Sequence, residues 1–154
     1  MNTSFTLATQ SKKVEGLEKL NNAVVGAFGA FDGMKDYVME CKDINLVSPG
    51  KLFLKDILGL TGSEISVTTM GANEVAPFAH KHKSNEEVYI VVKGSGDFEL
   101  DGKKVAIKEG SIIKVSPACV RKLYAGNDGL IIICIQTEQN SLKGCTLTDG
   151  EILG

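Results

Sequence analysis

Residues 78–90 have the sequence FAHKHKSNEEVYI, and this stretch holds both histidines of the chain, His80 and His82. In an extended strand, side chains alternate between two faces, so the two imidazoles point to the same side. A carboxylate follows within a few residues, at Glu86 or Glu87. Two imidazoles and one carboxylate are a suitable ligand set for a divalent transition metal. The stretch therefore predicts a metal site on an extended segment.

The composition favours a single globular domain with a terminal extension and argues against nucleic acid as a partner. The chain has 154 residues, which is enough to bury a hydrophobic core. Its 17 Lys and Arg against 19 Asp and Glu give a formal charge of -2, whereas nucleic-acid-binding proteins usually carry a basic excess. Aromatic residues make up 6% and Trp is absent, so a stacking platform for bases is not expected.

The cysteines and the N-terminal sequence predict a cytoplasmic protein with free thiols. Cys41, Cys119, Cys134 and Cys145 form no C-x-x-C pair, and a chain of this length does not need disulfides to fold. The N-terminus lacks the positively charged start and the apolar run of a signal peptide. The apolar stretch 23–31 is too short to span a bilayer, so no membrane partner is predicted.

Residues 1–45 are predicted to form an N-terminal extension of helical character, and residues 46–154 the main domain. Apolar residues between Val14 and Val38 recur at intervals of three and four, which is helical spacing. Glycines at positions 26, 29 and 33 favour two short helices over a single long one. The apolar face favours packing over a sheet or a partner subunit, and a lid over a pocket is the alternative.

After the turn signal Ser48-Pro49-Gly50, the sequence changes to short alternating runs that predict strands. Predicted strands include 65–70, 87–92, 97–100, 104–107, 111–115 and 130–135. The dipeptide Asp101-Gly102 is a strong signal for a tight hairpin between two of them. Many short strands separated by glycine turns are typical of an all-β sandwich or barrel.

The histidine stretch resembles the first motif of the cupin superfamily. Cupins are small jelly-roll β-barrels, also called double-stranded β-helices. That motif is His-x-His, three or four residues, Glu, six residues, Gly. His80, His82, Glu87 and Gly94 satisfy it, while Glu86 leaves seven residues before Gly94, so Glu87 is the favoured ligand. The resemblance covers roughly residues 50–140 and implies a cupin-like barrel with metal ligands His80, His82 and Glu87.

The second motif of the family departs from the pattern in this chain. It places a His, the fourth metal ligand, at a fixed distance after a Gly and a Pro. Counting from Gly110 the position falls on Arg121, which we favour, and counting from Pro117 it falls on Lys122. Neither side chain is expected to ligate a metal, because guanidinium stays protonated in proteins and ammonium normally does. One alternative is that Arg121 binds an anionic ligand in a two-pronged clamp, a task that Lys122 could take as a point charge. The other alternative is that both cations point outward and only the neighbouring apolar residues face the lumen.

The ligand set that results is His80, His82 and Glu87 for the metal, with Arg121, Lys122, Tyr89 and Tyr124 as candidates for binding a small molecule. Fe, Mn, Ni and Zn all suit two histidines and a carboxylate, and a thiolate from Cys119 or Cys134 is an alternative fourth ligand. The predicted function is a metal-binding cupin that takes a small anionic or oxygen-rich ligand, with catalysis left open. The alternatives are a metal-free binding module for an acid, sugar or phosphate, and a metal-free isomerase or epimerase. The resemblance also implies a homodimer.

Overall fold

The computed structural model describes residues 9–10, 12–144 and 146–154, and strands dominate it. The strands are Thr9–Gln10 (β1), Glu18–Lys19 (β2), Val24–Val25 (β3), Val38–Cys41 (β4), Leu46–Pro49 (β5), Lys51–Phe53 (β6), Glu64–Met70 (β7), Asn85–Leu100 (β8), Lys103–Lys108 (β9), Ile112–Val115 (β10) and Arg121–Glu138 (β11). The helices are short: 3-10 helices at Phe31–Asp36 and Lys42–Ile44, and α-helices at Lys55–Leu58 (α1) and Thr146–Asp149 (α2). The prediction of an all-β fold is confirmed.

Two long antiparallel strands, β8 and β11, organise the main sheet. The sheet has the order β10-β8-β11-β7-β6, and β9 pairs with the second half of β8. On its other edge, the second half of β11 pairs with β7, whereas the first half is bridged to the segment that carries Val75 and His80. A register shift between Ala125 and Leu130 marks the change of neighbours. Such bulges bend a strand and let it pass from one sheet of a barrel to the other.

The turn chemistry explains the path of the chain between these strands. Asp101 and Gly102 have φ values of 49° and 83°, which fits the tight hairpin predicted between β8 and β9. The motif glycine, Gly94, has φ 85°, and a side chain there would overlap the carbonyl oxygen of Gly129 across the bulge. Glycine at this position therefore allows the two long strands to approach each other where they bend.

Alternation along the strands gives the main sheet two different faces. Leu52 of β6, Val67 of β7 and Ile133 of β11 lie on the outer face, where Met34 and Tyr37 cover them. The inner face carries the alternate positions and lines the cavity described below. The two-residue period places polar residues such as Lys51 and Ser66 on the inner face.

The prediction of helices between residues 14 and 31 is wrong. Residues 18–25 form a short hairpin of β2 and β3, and the first helix is the 3-10 helix Phe31–Asp36. Gly16 and Gly29 have φ values of 65° and 89°, which a right-handed helix does not contain. The predicted packing over a sheet is confirmed, because Val14 and Phe28 contact the outer-face cluster together with Phe31.

Strands before and after this hairpin lie over the inner face of the main sheet. Strands β1, β4 and β5 form a small sheet, and Asn45, with φ 50°, ends the 3-10 helix between β4 and β5. Residue 45, where the sequence predicts the end of the extension, therefore lies inside a hairpin. Met39 and Leu46 from this hairpin line the cavity described below.

Two further predictions concern the thiols and the membrane. Cys41, Cys119 and Cys134 are free, as expected, and Cys145 lies outside the described residues. Within the described part of the chain, none of the helices combines the length and the hydropathy that a bilayer crossing requires.

Candidate functional site

The two histidines lie on an irregular segment that backbone hydrogen bonds hold against the start of β11. The backbone of His80 exchanges two hydrogen bonds with Arg121, at 3.1 and 2.9 Å, and His82 N–H donates to the carbonyl of Pro117 at 3.0 Å. The two imidazoles lie edge to face with ring centroids 5.4 Å apart. The lysines that flank His82, Lys81 and Lys83, are exposed, as the alternation predicts.

Glu87 meets the histidines from the inner face of β8. One ligand atom each from His80, His82 and Glu87 can be chosen so that all three lie within 4.8 Å of one another. Glu86, the other carboxylate with a fitting spacing, instead forms an ion pair with Lys114 on β10 at 3.5 Å. The structure thus places Glu87 in the cluster, in agreement with the motif spacing.

The two carboxylate oxygens of Glu87 have different partners. Oε1 lies 3.0 Å from His82 Nε2 and accepts a weak hydrogen bond from the Cys134 thiol at 3.5 Å. Oε2 accepts two hydrogen bonds from Arg121, at 2.9 Å from Nε and 2.7 Å from Nη2. It also accepts one from the Tyr89 hydroxyl at 2.8 Å. One oxygen therefore lies against His82 and Cys134, while the other accepts hydrogen bonds from Arg121 and Tyr89.

Arg121 lies inside the barrel, and only 1% of it is exposed. Besides Glu87, its guanidinium binds the backbone: Nη1 lies 2.7 Å from the Cys119 carbonyl oxygen and 3.4 Å from that of Pro117. The predicted clamp for an anionic ligand therefore already has an anionic partner within the protein. A buried arginine with a paired carboxylate and carbonyl acceptors is a satisfied ion pair.

Two of the candidate ligand-binding residues, Lys122 and Tyr124, lie away from the cluster. Tyr124 donates to Glu99 Oε2 at 2.8 Å, and Lys104 Nζ lies 3.9 Å from the centre of its ring. Lys122 Nζ lies near the same ring at 5.6 Å. Alternation along β11 explains the difference, since Arg121 points inward and its neighbour must point outward. Tyr89 does join the cluster.

Burial and charge set the protonation of the cluster. Burial, followed by the positive charge of Arg121, lowers the pKa of His80 to about 4, so this imidazole is neutral at pH 7. Burial opposes ionisation of Glu87, but hydrogen bonds from His82 and Tyr89 and the charge of Arg121 outweigh it and lower its pKa well below the usual range. Burial and then the Glu87 charge raise the pKa of the Cys134 thiol to about 12. The cluster thus offers neutral His80 and an anionic carboxylate, with Cys134 as a thiol.

The cluster opens into a cavity between the inner face of the main sheet and the β4–β5 hairpin. Two adjoining pockets of about 140 and 300 Å³ share His80, Tyr89, Cys134 and Lys51 in their walls. The rest of the lining is largely apolar, including Met39, Leu46, Phe78 and Phe53. The larger pocket reaches the lower limit of the size common for small-molecule sites.

Lys51 is a charged residue of this cavity that the sequence analysis did not indicate. Its Nζ donates to Thr68 Oγ1 at 2.8 Å, directly across the β6–β7 pairing. Burial lowers its pKa from the ordinary lysine value. The available signal is alternation after the Ser48-Pro49-Gly50 turn, which places Lys51 and Leu52 on opposite faces, although it does not show which face is inside.

Comparison with known proteins identifies the family. The family model described as "Cupin domain" matches residues 66–135. A crystal structure of a cupin protein from Bacteroides fragilis is 36% identical, with a TM-score of 0.65 over 67% of this chain and 88% of that chain. The chain belongs to the cupin family, and its barrel is the jelly roll that the sequence predicted.

Two further relatives give no information on activity. An uncharacterized protein from Methanocaldococcus jannaschii is 38% identical over 56 residues, which is 36% of this chain and 45% of that protein. This chain therefore matches less than half the length of that curated relative. A protein from Photorhabdus luminescens is 13% identical, with a TM-score of 0.56 over 75% of this chain and 88% of that one, which supports the fold alone.

Proposed function

We propose that this cupin holds a divalent transition metal on His80, His82 and Glu87 and binds a small anionic or oxygen-rich molecule in the adjoining cavity. The observation that carries the proposal is the division of the Glu87 carboxylate. Oε1 lies 3.0 Å from His82 Nε2, while Arg121 and Tyr89 hold Oε2. Carboxylates that ligate metals are commonly oriented by hydrogen bonds to their other oxygen.

The chemistry of the donor set fits this group of metals. Two imidazole nitrogens and one carboxylate oxygen suit Fe, Mn, Ni or Zn and leave positions for water or a ligand. His80 is neutral at pH 7, so no proton competes with a metal for its nitrogen. The positive charge of Arg121 opposes a dication, but Glu87 neutralises it at 2.7 Å. When bound, the metal would supply Lewis acidity toward an oxygen of the ligand.

The surrounding residues have separate tasks in this proposal. Arg121 and Tyr89 fix the orientation of the carboxylate, and the backbone pairing with Arg121 fixes His80. The apolar walls exclude water from the ligand and favour a molecule with an apolar part. Arg121 is a positioning residue, since its guanidinium contacts Glu87 and the backbone.

One observation favours a metal-free binding module as the second candidate. The Glu87 carboxylate already accepts hydrogen bonds from Arg121 and Tyr89 and lies against His82 and Cys134, so it is satisfied without a cation. In that case the cavity would bind its small molecule through Lys51 and the histidines, without metal. A metal-free isomerase or epimerase with a histidine base is the catalytic form of this candidate.

Metal analysis separates these candidates. Protein purified anaerobically and without chelators is expected to contain about one transition metal per chain. His80→Ala and His82→Ala should abolish this content, whereas Lys81→Ala, a change of the exposed residue between them, should preserve it. Adding the metal at a hundred times its dissociation constant should raise the free energy of unfolding of chelator-treated protein by about 2.7 kcal/mol.

Two results would contradict the proposed metal site. If the anaerobic protein holds no metal, and Fe, Mn, Ni and Zn leave its thermal unfolding unchanged, the metal-free candidate replaces it. Equal metal content in His80→Ala and Lys81→Ala would place the metal elsewhere on the chain.

A further inference from the structure

Lys51 occupies the inner face of β6, at one end of a row of facing residues across the main sheet. The register joins Lys51 to Thr68, Thr68 to Ile132, and Ile132 to Val91. The neighbouring row contains Ser66, Cys134 and Tyr89, which leads to the histidine and glutamate cluster. Lys51 therefore lies in the same cavity as the cluster, on the side where the β4–β5 hairpin covers it.

The ammonium of Lys51 has no anionic partner among the described residues. The ion pairs of residues 9–10, 12–144 and 146–154 involve other cations. Its contacts are the Thr68 hydroxyl at 2.8 Å and the face of Phe53, whose ring centre lies 5.2 Å away. A hydroxyl satisfies one of its three donors but carries no charge.

Charge balance shows what kind of group would complete this side of the cavity. Glu87 is paired with Arg121 at 2.7 Å and Glu74 with Lys35 at 3.0 Å, so among the described residues that line the cavity Lys51 is the charged side chain without an ion-pair partner. Lys51 is half-buried, and withdrawing a charge from water without a counter-charge is costly, so a ligand that supplies one is favoured. A carboxylate carries one negative charge, whereas phosphate carries between one and two at pH 7. The nearby walls, Met39, Leu46 and Phe78, are apolar.

We propose that Lys51 is the residue that binds the carboxylate of a small organic acid, with the apolar part of that acid against Met39, Leu46 and Phe78. The inference rests on the proposed function in one respect, since it places the ligand in the cavity next to the metal cluster. It adds the chemical class of the ligand and the residue that selects it. The Thr68 hydroxyl positions the ammonium across the β6–β7 pairing.

Butyrate and butyramide are suitable probes, because they have nearly the same shape and differ in charge. Each is titrated into chelator-treated protein, and binding is followed by the shifts of backbone amide NMR signals. Butyrate is expected to bind at least about tenfold more tightly than butyramide, which is the contribution of one charged hydrogen bond. The signals of residues 50–53 and 66–69 should move with it, and inorganic phosphate should bind more weakly than butyrate.

Variants at Lys51 test the residue itself. Lys51→Met should reduce the affinity for butyrate about tenfold and abolish the preference over butyramide, while Lys51→Arg should retain the preference. Lys108→Met, which removes an exposed lysine of β9, is the matched control and should bind butyrate like the wild type. Lys51→Gln serves the same purpose as Lys51→Met if methionine impairs folding.

Several results would overturn the proposal. These are equal affinities for butyrate and butyramide in the wild type, unchanged butyrate affinity in Lys51→Met, or tighter binding of phosphate than of butyrate. The titration uses metal-free protein, so its outcome does not depend on whether the metal proposal holds. The metal analysis of the native protein, in turn, does not depend on whether butyrate binds.

Discussion

Two cations at the cavity differ in what neutralises them: Arg121 is paired with Glu87, which lines the cavity, and Lys51 lines the cavity itself. Arg121 has a carboxylate at 2.7 Å and two backbone carbonyls, and only 1% of it is exposed. Lys51 has one hydroxyl at 2.8 Å and an aromatic face. The first is a completed ion pair, and the second is an ammonium that still lacks a counter-charge.

This difference separates a role in structure from a role in binding. A charge whose partner is built into the fold holds that partner in place, as Arg121 does for Glu87. A charge whose partner is absent from the described residues is suited to an outside anion. The sequence favoured Arg121 as an anion clamp, whereas in the structure Arg121 is paired with Glu87 and Lys51 has no ion pair among the described residues.

The largest effect is expected when Arg121 is removed. Arg121→Met leaves the buried Glu87 carboxylate without its cation, and breaking such a pair usually costs about 3–5 kcal/mol of unfolding free energy. Urea unfolding of the metal-free protein measures this loss.

The double variant Arg121→Met with Glu87→Gln is the control for that experiment. It removes both charges, so it should recover part of the stability that Arg121→Met loses. A loss of unfolding free energy below about 1 kcal/mol in Arg121→Met would show that the pair of Arg121 and Glu87 does not stabilise the fold.

A smaller loss of unfolding free energy is expected at acidic pH, because burial and the charge of Arg121 disfavour protonation of His80 in the folded state. Burial and this charge lower the pKa of His80 to about 4, while its value in the unfolded chain is about 6.5. Between these values the unfolded state binds the proton and the folded state does not, so the free energy of unfolding falls as the pH falls. Above about pH 7 both states are neutral and His80 has no effect.

We expect a loss of about 2 kcal/mol between pH 7 and pH 4 in the metal-free protein, a value reduced for the partial exposure of the imidazole. Thermal unfolding across this range measures it, and His80→Gln should flatten the curve. The same slope in His80→Gln would assign the pH dependence to other groups. Of the two cations, Arg121 lowers the pKa of His80 more than Lys51 does.

Much of the barrel could be predicted because its signals are local. The alternation of β7, the Asp101-Gly102 hairpin and the spacing from His80 to Gly94 each depend on neighbours in the sequence. The N-terminal extension could not be predicted in this way. Val14, Phe28 and Phe31 are apolar because they cover the outer face of the sheet, and their helical spacing does not specify a helix when glycines with positive φ interrupt it.

The same difference between local signals and long-range contacts applies to the candidate site. His80, His82 and Glu87 are close in sequence, so their spacing predicted the cluster. Counting from Gly110 correctly selected Arg121 over Lys122 as the inward residue, but its partner is 34 positions away, and the spacing gave no sign of that pairing. Lys51 reaches the cavity only through the pairing of β6 with β7, a contact that no local pattern specifies.

The smallest expected effect comes from the same substitution at the other cation. Lys51→Met removes an ammonium without a carboxylate partner and fills its place with an apolar chain of similar length. Lys51 is half-buried and has no ion-pair partner among the described residues, so a hydrophobic side chain in its place should raise the free energy of unfolding of the ligand-free protein by about 0.5–1 kcal/mol or leave it unchanged. Urea unfolding under the conditions used for Arg121→Met gives a direct comparison. Changes of opposite sign in the free energy of unfolding of the two methionine variants would follow from the different partners of the two cations. A loss above about 2 kcal/mol in Lys51→Met would instead mean that Lys51 supports the fold and that its charge is not reserved for a ligand.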